Sequence, residues 1–313
     1  MNIINTMIVC ICTYNRAILL RFVLDKLEKI NAPDGCHFDV IVVDNMSTDN
    51  THEVVSEYIQ RNPNRFRYIY EEKIGLSKAR NRGLQESTSD IIAFLDDDAV
   101  PRDGWLEALI ESYAQGADIG VVGGQVLLAL PDGPFPRWFQ KPLYPLFSER
   151  EVRDEKIREC HKIADYPFGA NISFRRELAI DFGGFNPALG RIGKKMLSGE
   201  ETQLCEQIRK AGYRILIHPK MIVDHYIPLD RISLRYLFRQ AWGDGQSCYA
   251  WSNVEFSALN SKRVILNFFQ YALGYAIDLV IHTRTLPGVI WRSYNLVTNM
   301  SMLYYRWKIC RSR

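Results

Sequence analysis

Three adjacent carboxylates, Asp96, Asp97 and Asp98, follow directly on the apolar run Ile91-Ile92-Ala93-Phe94-Leu95, and Pro101 closes the turn behind them. Five apolar residues in a row read as a short strand buried on both faces, as in the middle of a parallel sheet. Neighbouring acids repel one another, and holding them at the end of a buried strand is costly unless positive charge sits beside them. A hard divalent cation, bound by oxygens and carrying a substrate's phosphates, answers that cost. A solvated acidic turn is the plainer alternative. Alternation along an extended chain points Asp96 and Asp98 the same way, and open α/β sheets bind ligands at this edge, outside the carboxyl ends of their strands.

The elements that must position these acids lie on both sides of them. Residues 7–13 form a continuous apolar strand, and Leu20, Val23, Leu24, Leu27 and Ile30 then recur at helical spacing. Residues 40–43 are a second buried strand ending in Asp44; a turn rich in capping residues leads from it into a helix around Val54, Val55, Tyr58 and Ile59. Residues 66–70 alternate as a third, more exposed strand, and residues 75–84 read as a helix carrying Lys78, Arg80 and Arg82. Strand and helix in strict succession predict βαβ units, a parallel sheet and right-handed crossovers. No G-x-G-x-x-G follows the first strand, so no glycine turn cradles a diphosphate there, and a cation must serve instead.

Beyond the acids, a helix is expected around Trp105, Leu106, Leu109 and Ile110, a strand over 120–130 and a proline- and aromatic-rich loop over 131–145. A charged helix is expected over 150–162, a strand over 168–174 after a glycine turn, and a helix stop at 181–185. Ser198-Gly199-Glu200-Glu201 opens a further helix, and two short strands, 213–217 and 221–226, follow it, the second carrying His225.

The chain has 313 residues, 47% apolar and 24% charged, which describes a folded protein with a substantial core. A net charge of +3 without a basic, aromatic-laced run in the first two-thirds argues against nucleic acid. Seven cysteines, none in a C-x-x-C pair, point to a reducing compartment with neither a disulfide framework nor a zinc site. The amino terminus lacks a charged start and a cleavage site, so no secretory signal is expected.

The motifs Cys12-Thr13-Tyr14-Asn15-Arg16, residues 42–49, residues 75–81, Phe94-Leu95-Asp96-Asp97-Asp98 and Gly199-Glu200-Glu201 together resemble the family 2 inverting glycosyltransferases. The resemblance covers roughly residues 5–245, and its five motifs come in order. It implies an α/β fold of GT-A type: a Rossmann-like, mostly parallel sheet flanked by helices, with a helical C-terminal extension. It implies a nucleotide-diphosphate sugar donor, Mg²⁺ or Mn²⁺, and a glycan or lipid-linked acceptor. Position by position, Thr13, Tyr14, Asn15, Asp44 and Asn45 would hold the nucleoside end of the donor, with Tyr14 against the base. Lys78 and Arg80 would lie near the phosphates, and Asp96 and Asp97 would contact ribose and sugar. Asp98 would bind the metal, with His225 as a further metal or phosphate ligand. The general base falls on Glu201; because Glu replaces the commoner Asp and reaches one methylene further, Glu200 stays a candidate for it. Asn171 and Trp138 are candidates for the acceptor side.

The implied organisation is a catalytic domain over 1–228, with a nucleotide-sugar half (1–118) and an acceptor and base half (119–228), followed by a helical region over 229–313. Residues 264–277 carry no charge but are too few for a confident membrane span. After Asp278 there is no acid, while Arg284, Arg292, Arg306, Lys308, Arg311 and Arg313 alternate with Trp291, Tyr294, Tyr304, Tyr305 and Trp307. That pattern suits helices lying on an anionic cytoplasmic membrane face, against packing on the protein itself. The expected location is cytoplasmic, peripheral to the inner face of the membrane. Two rivals stand beside this reading. A sugar nucleotidyltransferase usually shows a glycine- and basic-rich loop after its first strand, which Tyr14-Asn15-Arg16 is not. A catalytically idle module that binds sugar nucleotides or anchors a partner at a membrane is the other.

Overall fold

The computed structural model describes residues 6–33, 35–193, 195–255 and 286–311, together with Leu266, Phe269, Gln270 and Leu273. The chain divides into two compact units. The first comprises Met1–Ala129, Ser148–Pro187 and Glu200–Tyr226; the second comprises Leu130–Phe147, Ala188–Gly199 and Ile227–Arg313.

The first unit begins with β1 (Thr6–Thr13), α1 (Ala17–Lys29), β2 (His37–Asp44), α2 (Thr51–Arg61), β3 (Phe66–Tyr70), α3 (Leu76–Glu86) and β4 (Ile91–Asp96). It continues through β5 (Ala99–Pro101), α4 (Trp105–Ala114), β6 (Ile119–Ala129), β7 (Arg158–Glu159), β8 (Asn171–Arg175), α5 (Arg176–Asp181), α6 (Glu200–Lys210) and β9 (Arg214–Tyr226). All nine strands join one sheet in the order β3-β2-β1-β4-β8-β6-β9-β5, with β7 on β9. The pairs β1–β2, β1–β4 and β2–β3 are parallel, as βαβ crossovers require. Beyond β4 the sheet is mixed: β8 runs antiparallel to both β4 and β6, while β6 and β9 pair in parallel.

The core forms because each element offers the face its sequence pattern prepares. Leu20, Val23, Leu24 and Leu27 of α1 are fully buried against the sheet, and each such side chain contributes about 1.5–3 kcal/mol on leaving water. On the opposite face α3 lies close to β1: a methyl group at Gly83 would come within 2.3 Å of Cys10 Sγ. Cys10 itself is a buried core residue with a free thiol.

Two expected elements differ. Residues 150–162 form no helix: apart from the short strand β7 they are irregular; Arg150 bridges to Val126, and Cys160 N–H donates to the Ile215 carbonyl. The charges in this stretch carry no apolar stripe to bury, so backbone pairing with β6 and β9 wins over a helix. The two strands expected over 213–226 are one, β9, interrupted by a shift of register against β6 between Gly124 and Gln125. Gly124 permits that irregularity, since a Cβ there would meet the Met221 carbonyl oxygen at 1.7 Å.

The second unit is helical. It holds 3₁₀ turns at Lys141–Phe147 and Leu229–Arg231, and the helices α7 (Leu234–Glu255) and α8 (Leu286–Arg311) packed on each other. Gly245 lets α8 approach, because a Cβ there would strike the Thr298 carbonyl oxygen at 2.2 Å, and Gly243 does the same for the Met196 carbonyl at 2.0 Å. Residues 256–265, 267–268, 271–272 and 274–285, which contain most of the uncharged stretch and Arg284, lie outside the described residues. Among the described residues no helix is long and apolar enough to cross a membrane.

Candidate active site

Parallel pairing of β1 with β4 sets Cys12 opposite Asp96, so the loops that leave the two strands run side by side. One of them carries Thr13 and Arg16, the other Asp97 and Asp98. Thr13 Oγ1 donates to Asp97 Oδ2 at 2.8 Å. A single guanidinium nitrogen, Arg16 Nη1, donates to Asp97 Oδ1 at 2.7 Å and to Asp98 Oδ2 at 2.6 Å. The short antiparallel ladder of β5 on β9 sets Ala99 opposite His225, and the Tyr226 N–H donates to the Asp98 carbonyl at 2.8 Å. That pairing brings His225 Nε2 to 3.2 Å from Asp98 Oδ1.

Asp96 belongs to a different group. The pleat of β4 ends at Asp96, and residues 97–98 turn, so the alternation expected to align Asp96 with Asp98 does not extend that far. Asp96 Oδ1 instead accepts from Arg80 Nη2 at 3.2 Å. The same guanidinium donates to the Gly169 carbonyl at 3.2 Å and, through Nη1, to Glu200 Oε1 at 2.7 Å. Arg80 is only 3% exposed, and a Cβ at Gly169 would sit 2.5 Å from Nη2, so glycine is what admits the guanidinium. Glu200 and Glu201 form the first turn of α6, where the helix dipole favours acids. Glu200 is buried, with Oε1 on Arg80, whereas Glu201 makes no ion pair among the described residues; Oε2 of each glutamate, shielded from solvent, has no hydrogen-bond partner among the described residues.

Five carboxylates thus surround two guanidiniums and one imidazole. Burial pushes Asp97 up to about 6 against the pull of Arg16, with the charge of Asp98 adding to the rise. Against the same desolvation, His225 and Arg16 hold Asp98 well below the usual carboxylate range. His225 is raised in turn: burial opposes its charge, and Asp98 more than compensates. Burial first, then the charge of Glu201, raises Glu200 to about 8 despite Arg80.

Among the described residues no three His, Cys, Asp or Glu side chains converge as a ready-made cation cage. The donor chemistry nevertheless suits a divalent ion at one point. Asp98 offers oxygen and His225 offers nitrogen side by side among buried acids, and His225 Nδ1 is buried with no hydrogen-bond partner among the described residues.

The remaining candidates sort by what their atoms already touch. Tyr14 is 45% exposed, with a face open to solvent. Asn15, in the left-handed region at φ 54°, accepts through Oδ1 from the Thr48 and Asp49 N–H groups and pins the next turn. Asp44 accepts from Ser47 N–H and Tyr68 Oη. Asn45 donates to the Glu71 and Lys73 carbonyls and accepts from Gly75 N–H. Those bonds shape the loop that leads into α3, where Lys78 is half-buried. Asn171 is wholly buried: it donates to the Gln125 and Met221 carbonyls and accepts from Trp105 Nε1, a knot between strands rather than a surface group. Trp138 belongs to the second unit and packs edge-on against Phe139.

Arg16 is the site residue that motif reading passed over. Its signal was present: a basic residue just after β1, the strand that must neighbour β4 if Cys12 and Asp96 are to face each other.

Residues 8–182, more than half of the chain, match the model of glycosyl transferase family 2, and the chain belongs to that family. It is 30% identical over 177 residues to the glucosyl-dolichyl phosphate glucuronosyltransferase of Haloferax volcanii, a match spanning 55% of this chain and 54% of that protein, about half its length. It is 28% identical over 243 residues to the succinoglycan biosynthesis protein ExoM of Rhizobium meliloti, covering 76% of this chain and 72% of the relative. The structure of a mannosyltransferase from Pyrobaculum calidifontis in complex with GDP-Man and Mn²⁺ shares the fold with a TM-score of 0.62 at 19% identity, covering 95% of this chain and 87% of the other.

Proposed function

We propose that the chain is an inverting, hexosyl-type glycosyltransferase that moves a sugar from a nucleotide-diphosphate donor to a hydroxyl of a glycan or lipid-linked acceptor. The observation that carries this reading is the inequality of the two glutamates at the start of α6. Glu200 is held by Arg80 through Oε1, although its Oε2 has no hydrogen-bond partner among the described residues, while Glu201 makes neither an ion pair nor a side-chain hydrogen bond among them. A general base must accept a proton from the attacking hydroxyl, and the carboxylate not committed to a buried guanidinium is the freer of the two to do so. Glu201 takes that role, and Glu200 fixes α6 to Asp96 through Arg80. With the base on one side and the donor's leaving group on the other, attack comes from the face opposite the departing diphosphate, which inverts the anomeric centre.

Asp98 and His225 would hold the cation, Mn²⁺ or Mg²⁺. A nitrogen donor beside the carboxylate favours the transition metal. When bound, such an ion neutralises charge on the departing nucleoside diphosphate. Arg16 keeps Asp97 and Asp98 paired and adds positive charge on the same side. Thr13, Tyr14, Asn15, Asp44 and Asn45 form the nucleoside end: Tyr14 offers an open ring face for a base, and the others hold the loop backbones in place. Lys78 faces the phosphates, and Asp96 and Asp97 the ribose and sugar. The catalytic domain is taken as 1–228 and the helical region as 229–313, with Trp138 on the acceptor side; Asn171 supports from within the core. The names of the Haloferax and Rhizobium relatives, a glucosyl-dolichyl phosphate glucuronosyltransferase and a succinoglycan biosynthesis protein, support a lipid-borne or polymeric acceptor; a peripheral place on the cytoplasmic membrane face would suit a lipid-borne one.

The test is a panel of nucleotide sugars offered to the full chain with Mn²⁺ or with chelator. Release of nucleoside diphosphate is followed, and the anomeric configuration of the product is read by NMR. Turnover should need the metal, invert the configuration, and collapse in both Asp98→Asn and Glu201→Gln. Retained configuration, or undiminished turnover in both variants, would sink the proposal.

A further inference from the structure

The second unit contains a groove of about 630 Å³ that the transfer chemistry does not use. Arg235, Phe238, Arg239 and Trp242 line it from α7, Tyr305 from α8, and Lys195 from the segment before Gly199. Positions 235, 239 and 242 recur at the spacing of one helical face, so the two arginines stand one turn apart with an indole one turn further on. Arg235, Arg239 and Lys195 are exposed, and none forms an ion pair or side-chain hydrogen bond among the described residues. No acid is among the groove's lining residues. Trp242 rests against Tyr304, which fixes the indole as a wall.

Three cations converging on a pocket walled by aromatic rings call for a ligand with two unlike ends. Its head must carry more than one negative charge, because three uncompensated cations repel each other and a single charge leaves most of that repulsion in place. A terminal phosphate supplies that: close to two charges at neutral pH and three acceptor oxygens for the guanidinium forks. Its other end must be apolar, since Phe238, Trp242 and Tyr305 offer ring faces and few polar atoms. The volume falls in the range of small-molecule sites and exceeds the needs of a bare phosphate.

We infer that this groove binds the terminal phosphate headgroup of a membrane lipid, with Arg235, Arg239 and Lys195 on the phosphate and Trp242, Phe238 and Tyr305 along the first part of the hydrocarbon chain. The inference stands apart from the transfer reading: it concerns the second unit alone and needs neither donor nor metal.

The experiment measures binding of the full chain to phosphatidylcholine vesicles doped with phosphatidic acid, by co-sedimentation in the presence of chelator. Control vesicles carry phosphatidylglycerol, whose phosphate is a diester, at matched surface potential. The chain should prefer the phosphatidic acid vesicles. Arg235→Gln and Lys195→Gln should each weaken binding about five-fold, and the double variant Arg235→Gln/Arg239→Gln about thirty-fold, on the scale of one cation's contribution at an anionic surface. Trp242→Ala should weaken binding to both vesicle types. Inorganic phosphate at the same total phosphate concentration should fail to compete. Equal affinity for the two vesicle types, unaltered binding by the double arginine variant, or full competition by inorganic phosphate each overturns the assignment. The first would reduce it to general surface attraction, and the last would make free phosphate the ligand. Because no sugar donor is present, failure here leaves the transfer reading to its own test.

Discussion

Two acid pairs in the first unit meet the same electrostatic problem and solve it differently. At the end of β4, Asp97 and Asp98 share one guanidinium, Arg16, and Asp98 has His225 besides. At the start of α6, Glu200 takes the guanidinium of Arg80 through one oxygen, and Glu201 is left without an ion pair among the described residues. A shared counter-charge makes a pair into one anionic unit, suited to holding a cation still. An unequal division makes one acid structural and leaves its neighbour to react. The cause of the difference is backbone geometry. A tight turn swings two consecutive side chains toward one loop, whereas consecutive residues on a helix diverge by about 100° and cannot reach one partner.

The sharpest way to break this comparison is to neutralise the glutamates separately. Glu201→Gln should cut the transfer rate roughly 10²- to 10⁴-fold with little change in stability, because it removes a proton acceptor. Glu200→Gln should cost the rate far less. Saturating-donor kinetics on both variants decides the matter, and a larger loss at Glu200 would reverse the two roles.

Next in size is the buried cation. Arg80→Met should destabilise the fold by about 3–5 kcal/mol, because it strands Asp96 without its counter-charge and the buried Glu200 carboxyl without its donor. Urea unfolding with an unchanged m-value would measure this as a shift of midpoint.

A pH series sharpens the picture of Glu200. Its carboxyl is raised in the folded chain from an ordinary 4.5 to about 8. Between those values the folded state keeps a proton that the unfolded state has lost. The contribution of Glu200 to stability is therefore full below about pH 4.5 and declines as pH rises toward 8. Glu200→Gln should remove that part of the slope, seen by comparing unfolding midpoints at the two ends of the window. An identical slope in variant and wild type would place the raised group elsewhere.

The smallest effect belongs to Arg82, two residues from Arg80 on the same helix. It pairs with Glu86 one turn away, in solvent, at 2.9 Å. Arg82→Gln should cost about 0.4 kcal/mol by the same urea assay, as expected of an exposed pair at this spacing. If Arg80 and Arg82 cost the same, burial gives Arg80 no special place.

Much of this architecture could be read before the structure. The alternation of apolar strands with amphipathic helices up to β4 was legible because each element carries its own period, and local pattern alone decides it. The antiparallel insertion of β8 between β4 and β6 was not legible, because residues 171–175 look the same whichever way they run. The non-helical course of 150–162 was hidden for a related reason: its pairing partners, in β6 and β9, lie far along the chain. Among the candidate site residues, the acids at 96–98 and 200–201 announced themselves by type and adjacency. Arg16 did not, because a lone arginine after a strand is ordinary until β4 is placed beside it. Asn171 drew attention as a polar residue after a glycine turn, yet every polar atom of its side chain is spent on neighbouring strands and Trp105.

The sequence by itself determined which segments are strands and helices in the first half, where the acids stand, and that their charge must be met by something positive. Only the tertiary structure decided which positive group meets which acid: Arg16 at Asp97 and Asp98, Arg80 at Asp96 and Glu200, and nothing among the described groups at one oxygen of Glu201. The physical reason is range. Secondary structure follows from neighbours a few residues apart, whereas the pairs of Arg16 with Asp97 and Asp98 and of Arg80 with Glu200 join positions 81 to 120 apart, and they exist only where strand register and a turn carry distant side chains into contact.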